Sequence, residues 1–357
     1  MRIFTLFQAV SAAAAIAMLA GCSGGGSSVI APKPASPQAG SRFAMGRTFQ
    51  FLNPVDRLES RNRTGHQIVG HYACPATGPI KYVSDYSNSA INVYAGKFAG
   101  QAPCGQLTSG IAGPEGIFVK AATHDLYVAN DSDRNILVFH RGQTTPYNTY
   151  TDPTVQDPFD VTVAKDGTVI ASNLIQPNGN ENGSVSTWIG GANGGAFVGN
   201  FPMTNDSEGL FITVQKSGKV YFTDIDASSG QGLLWSMSCP AGACGPQTQV
   251  AGVSFIFPFG MGSDDTEVLL VDDLNPAGGG TADTFELPNP TPKTFPLVGV
   301  PVGMAINPAD HHWFVADAMS NNAAEYAYPG GALIGTVPGN AGGDPVGMAV
   351  DPGHSLR

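Results

Sequence analysis

The sequence predicts an all-β chain closed into a six-bladed β-propeller, and three observations carry that reading. A Gly-centred apolar run occurs six times: PEGIFV (Pro114 to Val119), PFDVTV (Pro158 to Val163), SEGLFIT (Ser207 to Thr213), PFGMG (Pro258 to Gly262), PVGMAI (Pro301 to Ile306) and PVGMAV (Pro345 to Val350). A β-rich stretch ending in Asp or Asn also occurs six times: YVSDYSNSAINVY (Tyr82 to Tyr94), YVANDSDRNILVF (Tyr127 to Phe139), VIASN (Val169 to Asn173), VYFTDID (Val220 to Asp226), VLLVDD (Val268 to Asp273) and WFVADAMS (Trp313 to Ser320). Successive units follow one another at roughly 43 to 51 residues, the period at which one repeat is one propeller blade.

The order of the half-units predicts how the ring closes. The first β-rich stretch, at Tyr82, has no Gly-run before it, and the last Gly-run, at Gly347, has no β-rich stretch after it. The C-terminal PVGMAV is therefore expected to supply the innermost strand of the first blade, whose other strands begin near Ile80. Such closure removes the open sheet edges that invite aggregation.

Blade geometry puts the loops before each first strand and after each second strand on one face of the disc. Glu115, Asp160 and Glu208 are expected there, where the first strand begins in three consecutive blades; the matching places in later blades hold Phe259, Val302 and Val346. Asp85, Asn130, Asn173, Asp224, Asp272 and Asp317 close the second strand in all six blades. Asp and Asn at strand ends cap turns through their own backbone, which is the expected role for most of these six. Carboxylates and amides around an axial channel also suit a hard cation such as calcium, and an asymmetric acidic patch on a pseudo-symmetric ring marks a candidate site. The connections NLIQPNGNENGS (Asn173 to Ser184) and DLNPAGGGTAD (Asp273 to Asp283) are expected to rise on the same face as variable binding loops.

Other chemistry is sparse. No HExxH is present and no GxSxG occurs beyond GCSGG (Gly21 to Gly25) at the export signal, and His124, His311 and His312 fall in the turns of the opposite face, with His66, His71, His140 and His354 scattered; all are expected to be surface histidines. Phe201, Phe211, Trp235, Phe255, Phe257 and Phe259 sit in strand patterns and are expected to pack in the core, as is Trp188.

Four of the five cysteines, Cys74, Cys104, Cys239 and Cys244, form an even set suited to an oxidising compartment. CPAGAC suits a small disulfide loop between Cys239 and Cys244, leaving Cys74 to pair with Cys104 around the first blade. Residues 72–357 hold 10 Lys/Arg against 26 Asp/Glu, whereas residues 1–71 hold 7 against 2. An acidic body disfavours nucleic acid, whose phosphates need a basic face.

The N-terminus reads as residues 1–21 of signal peptide followed by a 22–71 tether. A charged start, an apolar stretch from Ala9 to Ala20 and small residues ahead of Cys22 make an export signal. SGGGSS and APKPASP form a flexible, then proline-stiffened, linker, and the basic segment from Ser41 to His71 is expected to continue it. LAGC (Leu19 to Cys22) resembles the bacterial lipobox, which implies cleavage before Cys22, lipid on that residue and a membrane-anchored monomer at the cell envelope, at its periplasmic face or on the cell surface.

The Gly-run followed by YVANDSDRNILVF and its copies resembles NHL-repeat propellers, and the exported bacterial lipoproteins that carry them, over about residues 78–357. That resemblance implies a binding or scaffold module for a protein or small ligand. Propellers of the gluconolactonase and regucalcin type are cousins, and similarity to them implies the alternative: a calcium-like ion at the channel mouth held by Glu115, Asn173, Glu208 and Asp224, serving a lactonase or esterase.

Overall fold

The computed structural model describes residues 70–353 except 155, 175–182, 192, 204–206, 227–230, 254, 256–257, 265–267, 273–279, 287–288, 298–300, 308–310, 318–319 and 340–342; for 207–208, 268–272, 286 and 289–292 it describes the backbone alone. The expected signal segment, Cys22 and the tether up to 69 lie outside these residues, as does most of the two long connections.

Among the described residues the strands form six antiparallel sheets, five of four strands and one of five. The inner strands are Pro345–Asp351 in blade one, Pro114–Lys120 in blade two, Pro158–Val163 in blade three, Ser207–Val214 in blade four, Pro258–Ser263 in blade five and Pro301–Asn307 in blade six. Each inner strand packs against those of both neighbouring blades, so the six surround one axis. The second strands Ile80–Asp85, Asp125–Asn130 and Thr168–Asn173 are buried along their whole length, because each blade is covered on both faces by its neighbours. Outermost strands such as Asn148–Thr151 alternate buried and exposed residues, as a half-covered edge requires. Trp188, Phe211, Trp235, Phe255 and Phe259 are buried between blades; Phe201 is only half-buried.

The recurrent glycine is a packing requirement of the ring. At Gly303 a β-carbon would come within 2.1 Å of the Val346 carbonyl oxygen, and at Gly347 within 2.3 Å of that of Glu115. Inner strands therefore approach backbone to backbone where any side chain would hold them apart. The residues just after each leading proline bulge out of register, as between Pro114 and Ile117. At the closure the bulge leaves Gly347 N–H to donate to Ser84 Oγ at 2.6 Å, while Ser84 donates to the Glu115 carbonyl at 2.6 Å. One hydroxyl thus ties blade one to blade two.

The ring closes as expected: Pro345–Asp351 pairs antiparallel with Ile80–Asp85, Ile80 facing Asp351 and Asp85 facing Pro345. Asp351, fully buried, is then held by blade two. Arg141 Nη1 lies 2.8 Å from its Oδ2 and His124 Nδ1 2.7 Å from its Oδ1, while Arg141 Nη2 donates to the Gly78 carbonyl at 2.7 Å. The expectation of surface histidines holds for His71, His140 and His311, which are exposed, and is corrected for His124 and His312. His140 Nδ1 lies 2.7 Å from Asp125 Oδ1 and His312 Nδ1 2.7 Å from the fully buried Glu325, so three histidines serve as partners of buried carboxylates between or within blades. Disulfides join Cys74 to Cys104 and Cys239 to Cys244. The first bridge fastens a fifth strand, His71–Tyr72, which pairs with Gly105–Leu107 and extends blade one beyond its expected start at Ile80.

Candidate functional site

The axis has two unlike ends. On the face where the inner strands begin, the residue after the leading proline is Phe159, Phe259, Val302 and Val346 in blades three, five, six and one. In blade four register decides. The leading proline faces the terminal Asp or Asn of the second strand in five blades, but in blade four it is Gly209 that faces Asp224. Leu210 therefore takes the place held by Glu115, and Glu208 lies two residues farther out, facing Ile225. The expected alignment of Glu115 with Glu208 is corrected by this shift. Phe159, Leu210, Phe259, Val302 and Val346 form one buried cluster with Phe211, drawn from five blades across the axis. Phe211 meets Phe159 and Phe259 edge-on, at ring distances of 5.0 Å and 6.4 Å. The expected channel mouth is in fact plugged by apolar side chains.

Glu115 is the one carboxylate in that tier, half-buried beside the plug. Loss of solvation, then the negative charges of Asp131, Asp344 and Asp160, hold its carboxyl well above the usual range. Burial also raises Asp344. Asp160 sits one position deeper, facing Ser172, and its oxygens accept N–H bonds from Val161 at 2.8 Å and from Ile212 of blade four at 3.0 Å. The carboxylate lies across Gly116, where a β-carbon would come within 1.9 Å of Oδ1. Desolvation pushes Asp160 up to about 7 against the opposing pull of those two N–H bonds.

These shifts have a sign for stability. A carboxyl whose folded pKa is raised keeps its proton where the unfolded chain has lost it, so its stabilisation is full in acid and is lost as pH rises to about 7. Asp160 alone accounts for up to about 4 kcal/mol on this basis. Urea midpoints are expected to fall between pH 4 and pH 7, and Asp160→Asn is expected to flatten that slope; an unchanged slope in the variant would assign it to other groups.

Beneath the plug lies a cavity of about 460 Å³ that opens on the opposite face, among the turns linking first and second strands. Its far end is formed by Gly116, Asp160, Phe211, Gly303 and Gly347. Its walls are the apolar inner-strand residues Ile117, Val161, Ile212, Met261, Met304 and Met348, and Lys165 and Lys216 stand at the rim. The size falls in the range of small-molecule sites. No motif marks these residues as a site, although the Met recurring after the glycine in blades five, six and one is visible in the sequence.

The remaining expected site residues whose side chains are described mostly engage partners of their own turn or blade. Asp85 accepts from Asn88 N–H at 3.2 Å and from Asp344 N–H at 3.1 Å, Asn130 accepts from Ala112 N–H at 2.6 Å, and Asp317 accepts from Ser320 N–H at 3.0 Å. These are turn-organising contacts. Asn173 gives its amide to Ser184 Oγ and Ser186 Oγ at 3.0 and 2.8 Å. Asp224 is fully buried opposite Gly209, and Asp272 ends its strand opposite Pro258. Among the described residues no three His, Cys, Asp or Glu side chains gather as they would around a metal ion; the side chain of Glu208, one of the calcium set implied by resemblance, lies outside the described residues.

Comparison with known proteins agrees with the architecture. The chain is a β-propeller. It superposes on a chain of the nidogen/laminin complex with a TM-score of 0.56 at 12% identity, covering 77% of this chain and 98% of that one. Hydrazine synthase of Kuenenia stuttgartiensis gives 0.54 at 12% identity, covering 81% and 94%, and a functionally unknown protein from Desulfotomaculum acetoxidans gives 0.51 at 13%, covering 77% and 99%. At such identities the likeness is one of fold alone. No protein-family description matches the chain, and no curated protein matches it.

Proposed function

We propose that this protein is a binding module of the bacterial cell envelope, an NHL-like propeller tethered through lipidated Cys22, which takes a small ligand in its axial cavity. The carrying observation is the cavity itself: about 460 Å³, stopped at one end by the apolar plug and open at the other. Both disulfides suit an oxidising compartment. No helix among the described residues is long and apolar enough to cross a membrane, so the tether supplies the anchor in this reading.

Ligand that binds only the native state raises its stability, by about 2.7 kcal/mol at a hundredfold excess over Kd. Thermal unfolding against a panel of small-molecule classes is expected to show a saturable rise with at least one class. Ala121→Trp, at the exposed rim, is expected to abolish it. The rival reading, a calcium-dependent lactonase or esterase, is separated by chelation: a rise on restoring calcium that Glu115→Gln removes would favour it over a binding module.

A further inference from the structure

We propose that the axial cavity takes an anionic amphiphile, with its acidic head at Lys165 and Lys216 and its apolar body between the inner strands. This rests on the cavity being the ligand site. Charge distribution is the first support. The propeller body is strongly acidic, yet Lys120, Lys165, Lys216 and Lys219, four of its ten cationic residues, lie at the inner-strand turns of three consecutive blades. Asp160, Lys165 and Lys216 are the only ionisable side chains lining the cavity among the described residues. Among the described residues, two acids beside the rim have partners of their own: Asp166 accepts Thr168 N–H at 2.9 Å within its own turn, and Asp264 accepts the Tyr328 hydroxyl at 2.5 Å. A cationic arc on an acidic body steers and holds an anion.

The interior supplies the other half of the chemistry. Between rim and far end the walls are two tiers of apolar side chains, Ile117, Val161 and Ile212 with three methionines, then Val119, Val163 and Ile306 nearer the opening. Methionine adapts its shape to an alkyl chain more readily than a branched residue does. At the far end both Asp160 oxygens already accept backbone N–H bonds, so that end asks no polar group of a ligand. Asp160 apart, the ionisable side chains that line the cavity stand at its rim with apolar walls behind them, an arrangement that selects a molecule with its acid at one end and hydrocarbon behind it.

The test is titration calorimetry on the full chain carrying Cys22→Ser, with hexanoate, octanoate and decanoate as probes and 1-octanol as the neutral counterpart of octanoate. One site is expected, with affinity rising about fourfold per added methylene. Lys165→Glu with Lys216→Glu, both exposed positions, is expected to weaken octanoate at least tenfold and leave 1-octanol unchanged, with the melting transition retained. Equal binding of octanoate and 1-octanol, both indifferent to the charge reversal, would overturn the anionic class while leaving the cavity as a site. Octanoate binding that survives Ala121→Trp would place it elsewhere and overturn the proposal. Failure of every carboxylate beside a rim-sensitive response to another ligand class would also overturn it; failure of all classes would remove the binding reading with it.

Discussion

Deletion of residues 343–357 is expected to abolish the cooperative unfolding of the whole ring, although fewer than one residue in twenty is removed. The deleted strand is the inner strand of blade one and lies between the inner strands of blades two and six. Without it Ile80–Asp85 becomes an open edge, and Met348 and Ala349 leave the clusters that join blade one to its neighbours. A smaller lesion reports on the same seam. Asp351→Ala leaves the guanidinium of Arg141, itself only 9% exposed, without its buried carboxylate. Breaking a buried pair from one side costs about 3–5 kcal/mol. For a domain of this size that corresponds to a melting point lower by roughly 10 °C. Circular dichroism melts of both variants check the pair; a truncated chain with wild-type cooperativity would show that the ring does not depend on its closing strand.

Gly347→Ala is expected to destabilise by about 3 kcal/mol or more, at the upper end of overpacking costs. Its β-carbon would meet the Glu115 carbonyl oxygen at 2.3 Å and Ser84 Oγ at 2.7 Å. Neither is the yielding end of a flexible chain: the first is backbone, and the second is already bonded to Gly347 N–H and to Glu115. Relief requires separating two inner strands, which opens the ring. Gly330→Ala is the matched control, because nothing lies within 4 Å of a β-carbon there. Urea unfolding is expected to show little change in the control and a large drop at 347; equal midpoints would mean that the inner strands are not held at backbone contact.

The features legible in the sequence were those written repeatedly. Six Gly-runs and six β-rich stretches fixed the architecture, and their mismatch at the two ends fixed the closure, because each orphan half-unit needed the other. The disulfide pairs followed from the short CPAGAC loop. What failed was register and distance. SEGLFIT lacks the leading proline, so matching its Glu-Gly to that of PEGIFV set Glu208 beside Glu115, whereas strand pairing moves the blade-four run by two residues. The partner of His124 was hidden for another reason. Asp351 lies 227 residues from His124, and no local pattern announces the contact. The orientation of the channel is likewise not written locally. Acidic residues at three strand starts point to a polar mouth, but the equivalent places in three other blades hold Phe259, Val302 and Val346. On a ring six side chains meet at the axis, so the apolar majority decides whether that end is open.

The central claim is that ligand enters from the turn face into the axial cavity and not at the acidic face beside Glu115. Thermal unfolding with a saturating fatty acid such as decanoate tests it most directly when Ser263→Trp, at the cavity rim, is compared with Glu115→Gln at the opposite end. The account predicts a ligand-induced rise in melting temperature that Glu115→Gln retains and Ser263→Trp loses. A rise that survives in Ser263→Trp and disappears in Glu115→Gln would contradict it and move the site to the acidic face.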